Sequence, residues 1–130
     1  MIATTWERLE PFLLETLRDA LSADVDTVRP VTLKPYEGII LSVNLGQRVT
    51  SISRYARIRI QGWSINTAGN PNRPAAQSLV LDAASHLESL APDGDPIIVA
   101  SLDVGPDIVT DSESGLDHAY GVVLAEIHAA

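Results

Sequence analysis

The stretch that most constrains the fold is RYARIRIQGWSI, residues 54–65. Read with a period of two, Ala56, Ile58, Ile60 and Gly62 fall on one side, and Tyr55, Arg57, Arg59, Gln61 and Trp63 on the other. A helix, with its period of 3.6, cannot separate these sets, whereas a strand does so automatically. The pattern predicts a strand with one face on a core and one face clear of it. That second face is at odds with the chain's overall charge. The formal net charge is −8 and the pI about 4.6, yet Arg57 and Arg59 stand together between a Tyr and a Trp.

The rest of the chain supplies what this strand needs. Thr4 and Glu7 have capping-box spacing, which predicts a helix from near Thr5. Leu9, Phe12, Leu13, Leu17, Ala20 and Leu21 then recur at helical spacing, a stripe read as core. Pro11 either belongs to the first turn of a later-starting helix or kinks an earlier one. VRPVTL, residues 28–33, is read as an edge strand, where proline is tolerated. GIILSVN, residues 38–44, is a strand, and LGQRVTSIS, residues 45–53, a polar loop or hairpin arm. NTAGNPNRP, residues 66–74, is dense in turn residues, and Pro74 suits the first position of a second helix. Leu79, Val80, Ala83, Leu87 and Leu90 give that helix an apolar side, and it ends near Ala91. PIIVASLDV, residues 96–104, is a buried-type strand. Residues 105–117 hold only Ile108 and Val109 between turn signals, and residues 118–129 close the fold as a strand.

The order helix, strands, helix, strands predicts an α+β fold: a mainly antiparallel sheet of about five to six strands packed with two helices. A chain of 130 residues fits one domain spanning 1–130. With no cysteine there is neither a disulfide framework nor a thiolate metal site. The N-terminal residues lack the basic start and apolar run of a signal peptide. No stretch reaches the roughly 18 apolar residues of a spanning helix, so the chain is read as soluble, with no membrane partner.

Charge is segregated along the chain. Between Arg48 and Arg73 lie five arginines and no acid, whereas residues 74–130 hold ten acids and no Lys or Arg. A strongly acidic second half repels phosphate at long range, which opposes tight non-specific nucleic-acid binding. It favours a basic patch meeting an acidic patch on another copy of the chain. Tyr, Trp and Arg are enriched at the centres of protein interfaces, and a guanidinium pairs with a carboxylate through two bonds. The interface expected is therefore Tyr55, Arg57, Arg59 and Trp63 against Asp103, Asp107, Asp111 and Glu113. Gln47, Arg48, Thr50 and Ser51 of the polar arm are the candidate contacts to a further partner.

Catalytic patterns are missing from the sequence. His86 is expected in solvent on the second helix. His118 and His128 stand at opposite ends of the last strand, over 30 Å apart at roughly 3.3 Å per residue. No Walker, dinucleotide or zinc-protease pattern occurs, and Asn66 replaces the second glycine of a nucleophile elbow in GWSIN. DSESG, residues 111–115, fails as a calcium loop at its glycine and at its twelfth position, Val122. The chain is read as a structural protein, not an enzyme, with no catalytic residue, cofactor or metal.

The strand RYARIRIQGWS, the helix RPAAQSLVLDAASHLESL and the run PIIVASLDVGPDIVTDSESGLDHAYGVVLAEIHA together resemble the tail terminator proteins of long-tailed, siphovirus-like phages, most closely those of actinobacterial phages. The likeness spans residues 5–128. It is most specific in ARIRIQGW, in Gly105–Pro106 and in SGLDHAYGVVL. The resemblance implies an α+β subunit that forms a homo-hexameric ring. That ring would cap the tail tube protein, end its polymerisation and offer a docking surface to the head–tail connector. It implies a place in the neck of the virion tail, after assembly in the host cytoplasm, with DNA passing through the lumen without specific binding. The alternatives are another neck or tail component, such as a head completion or tube protein, or a small monomeric peptide-binding domain.

Overall fold

The computed structural model describes residues 5–21, 24–28, 35–50, 53–90 and 97–128. The elements run α1 (Thr5–Ala20), β1 (Asp24–Asp26), β2 (Tyr36–Thr50), β3 (Ser53–Ile65), α2 (Arg73–Leu90), β4 (Ile97–Thr110) and β5 (Asp117–His128). The strands form one sheet in the order β1-β2-β3-β5-β4. Only β1 and β2 are parallel; the other three pairings are antiparallel. The fold is α+β, as the order of elements predicts.

Both helices cover the same side of the sheet. Leu9, Leu13 and Leu17, four apart on α1, are each 0% exposed. They join Ala76, Val80, Ala83, Ala84 and Leu87 of α2 over Ile39, Leu41, Ala56, Ile58, Ile60, Val123 and Ile127 in one cluster. Each such leucine removed from water contributes about 1.5–3 kcal/mol. Glycines let α2 lie close to the strands. A Cβ on Gly62 would come within 2.3 Å of the Ala76 carbonyl oxygen, and one on Gly121 within 2.7 Å of Val80 Cγ1. His86 is not solvated as expected: its Nε2 lies 3.0 Å from Thr16 Oγ1 and ties α2 to α1.

Several local expectations change. Of the two readings of the arm, the hairpin holds and the loop does not: residues 45–50 continue β2 and Ser53 begins β3. Its polar sequence hides this because Leu45, Gln47 and Val49 are exposed and no buried face imposes alternation. Residues 105–110 likewise belong to β4, which runs through Gly105–Pro106 to Thr110. Register shifts against β5 on either side of Val104 let the strand continue past the proline. Asn72 caps α2, its Oδ1 accepting the Ala75 N–H at 3.1 Å, so Pro74 is the second helical residue and not the first. Pro11 lies inside α1, the earlier-starting helix. The proposed cap at Thr4 and most of the edge strand at 28–33 lie outside the described residues. No helix among the described residues is long and apolar enough to cross a membrane.

Candidate interaction face

With both helices on one side, the other face of the sheet carries the second set of β3 residues. Arg59 stands between Ser42 of β2 and Val122 of β5, and Arg57 between Asn44 and Leu124. Tyr55 is paired with Glu126 and Gln61 with Tyr120. Tyr55, Arg57 and Arg59 are exposed, with Tyr55 41% accessible. Neither Arg57 nor Arg59 makes a hydrogen bond or ion pair to any described residue.

Arg54 and Arg73 of the basic segment are occupied. Arg54 donates through Nε and Nη2 to the Gly46 carbonyl oxygen at 3.2 and 3.0 Å, clamping the hairpin. Arg73 donates through Nε to Asp117 Oδ2 at 2.8 Å, and Thr110 Oγ1 donates to Asp117 Oδ1 at 2.5 Å. The Thr110 hydroxyl and then the Arg73 guanidinium hold the Asp117 carboxyl below its ordinary value.

Trp63 departs from expectation. It is on the anticipated face but only 1% exposed. Ile40, Ile65, Tyr36 and Leu116 pack around it, its Nε1–H donates to Gln61 Oε1 at 3.1 Å, and the His118 ring stacks on it at 4.2 Å between centroids. Leu116 reaches it from the β4–β5 turn, where the Asp111 N–H donates to the Leu116 carbonyl oxygen and Gly115 adopts a φ of +72°. Trp63 therefore anchors a second, small core and offers no contact surface. The sequence signal was Leu116, a lone apolar residue in a polar turn.

The acids expected at the interface are dispersed along one edge. Asp107 lies on the same face as the arginines but on β4, opposite Tyr120, so all of β5 intervenes. Asp103 is exposed within the register shift between Leu102 and Val104. Asp111 accepts the Ser114 N–H and hydroxyl at 2.8 and 2.7 Å and so organises its own turn. Glu113 is exposed in that turn. Of the arm residues, Gln47 is exposed on β2 and the backbones of Arg48 and Thr50 extend that strand; Ser51 lies outside the described residues. Asp103, Asp107, Asp111 and Glu113 are thus set apart from Arg57 and Arg59, whose face carries Glu126 beside Tyr55.

An open groove of about 1310 Å3 lies at the other end of the sheet, with Tyr36, Glu37, Asn66, Arg73, Gln77 and Ile108 on its walls. Its one guanidinium is the one neutralised by Asp117. Among the described residues no three His, Asp or Glu side chains are grouped to hold a metal. Comparison with protein-family models and with curated proteins finds no match for this chain.

Proposed function

We propose that the protein is a structural subunit that assembles into a ring, and specifically a tail terminator of a siphovirus-like phage. The ring, of about six copies, caps the tail tube, halts its growth and receives the head–tail connector. The subunit acts by assembly and not by catalysis. One observation carries the assembly part of this reading: Arg57 and Arg59 have no partner among the described residues on the sheet face away from the helices, while exposed Asp103 and Asp107 lie on the edge strand β4. Two complementary patches on different parts of one subunit make a head-to-tail contact, and repetition of such a contact closes into a ring or grows as a filament. The terminator assignment within that class rests on the sequence resemblance.

The test is the double substitution Arg57→Glu, Arg59→Glu. Both side chains lie off the core, so circular dichroism and melting stay as in the parent while ring formation is lost. Rings formed by the double variant would remove this face from the interface. Unlimited filaments from the parent protein would favour a tube subunit over a terminator.

A further inference from the structure

Strand β4 ends the sheet, with β5 on one side and no described strand on the other. An edge strand offers its outward backbone groups to any other strand that meets it. Along β4, Ser101, Asp103, Val104, Gly105, Asp107 and Val109 are exposed. Two backbone groups of this run are nonetheless occupied, and by side chains. Glu88 Oε1 accepts the Leu102 N–H at 3.0 Å, and Gln77 Nε2 donates to the Pro106 carbonyl oxygen at 3.1 Å. Both side chains belong to α2, where about three helical turns separate them, so one side of that helix serves both.

The chemistry of the two contacts is that of a neighbouring strand. The carboxylate gives an acceptor to a backbone donor, and the amide gives a donor to a backbone acceptor. That donor and that acceptor also suit each other. A second β4 laid antiparallel, with the two-fold axis at Val104, brings the Leu102 N–H of each copy to the Pro106 carbonyl oxygen of the other. In this register Asp103 stands opposite Gly105 and Asp107 opposite Ser101, so no acid faces an acid. Val104, 39% exposed, meets its own counterpart at the axis. Register shifts on either side of Val104, and the N–H that Pro106 lacks, weaken β4 as a template. They leave this one donor and this one acceptor, and α2 takes both.

We infer that β4 is a latent two-fold interface for a second copy of this chain, and that Glu88 and Gln77 hold it shut by occupying its donor and its acceptor. The guard keeps two sheets from joining edge to edge. It leaves Asp103 and Asp107 free to meet a partner through their side chains. The inference does not depend on the ring, since neither Arg57 nor Arg59 takes part in it.

The experiment uses the full chain carrying Arg57→Glu and Arg59→Glu, which removes the proposed ring contact. Gln77→Ala and Glu88→Ala are then added, with circular dichroism to check the fold. Mass is measured by light scattering across concentration, and again at about 1 M salt, where charges are screened beyond about 3 Å. The added pair is expected to double the mass, and the doubling should survive salt because backbone bonds hold it. Amide exchange at 101–107 should slow about tenfold or more as concentration rises. Glu88→Gln with Gln77 kept retains an acceptor oxygen and is expected to stay monomeric. A monomer at every concentration, a doubling that salt dissolves, or a Glu88→Gln variant that doubles as readily as Glu88→Ala overturns the inference. Should the combined variant not fold, Glu88→Ala alone, at an exposed position, is read by the same exchange. Equal exchange at 101–107 in dilute and concentrated samples then overturns it. Rings formed by the Arg57→Glu, Arg59→Glu background itself would count against the assembly contact and leave the guard to be judged by exchange at 101–107.

Discussion

Tyr36 shows how a single side chain sets a pH limit. Its hydroxyl is buried with no hydrogen-bond partner among the described residues. Burial first, then the negative charges of Asp24 and Asp26, push its pKa from 10.0 to about 12. The folded state thus holds this proton more tightly than the unfolded chain does. The stability tied to the neutral phenol is complete below pH 10 and is lost as pH rises through about 12. Tyr36→Phe should flatten that alkaline loss and leave the melting temperature at pH 7 unchanged or raised, since it removes an unsatisfied polar atom. A destabilisation beyond about 1 kcal/mol would mean the hydroxyl has a partner after all. Asp117 works in the opposite sense: its carboxyl is held low, so its contribution is present above the ordinary carboxylate range and lost as pH falls through the lowered value. Gly62 tests packing. A methyl there would lie 2.3 Å from the Ala76 carbonyl oxygen, so Gly62→Ala should cost about 1–3 kcal/mol in denaturant unfolding. A neutral result would show that α2 can shift away from the sheet.

Among the elements, legibility followed burial. β3 was readable because its two faces meet different surroundings, Ile58 and Ile60 in the core and Arg57 and Arg59 in solvent. α1 was readable through Leu9, Leu13 and Leu17 for the same reason. The far half of β2 was not, because Leu45, Gln47 and Val49 lie beyond the helices and neither face is selected to be apolar. β4 was obscured by Gly105 and Pro106, which signal a turn in sequence but sit within an edge strand interrupted by register shifts. The candidate site was legible in part: period two placed Tyr55, Arg57, Arg59 and Trp63 on one face. It could not show that the turn carrying Leu116 folds back over Trp63, since that contact joins residues about fifty positions apart. Trp63→Ala is accordingly expected to lose about 3–5 kcal/mol of stability, the effect of a core cavity. A stable variant with only impaired assembly would return Trp63 to the interface.

For the whole molecule, the organising fact is the separation of two charge patches by the intervening strand β5. Arg57 and Arg59 occupy the middle of the sheet, and Asp103 and Asp107 its β4 edge. Within one chain β5 lies between them; in the proposed ring a neighbouring copy brings them together. The contact has to bury roughly 1,200 Å2 in total to hold a specific complex, and two arginines alone do not supply that area. Exposed apolar residues near the patches, Tyr55 on β3 and Val104 on β4, extend it. Such a contact weakens as salt screens the charges, so the assembly should loosen with rising ionic strength while the subunit stays folded.

The most direct measurement is the mass of the purified protein by light scattering across concentration and salt, repeated with isolated tail tubes. A discrete ring of about six copies, formed alone or on the tube end and lost in the Arg57→Glu, Arg59→Glu variant, is the predicted result. A monomer that stays monomeric with tubes present, or a fibre that grows without limit, would contradict it.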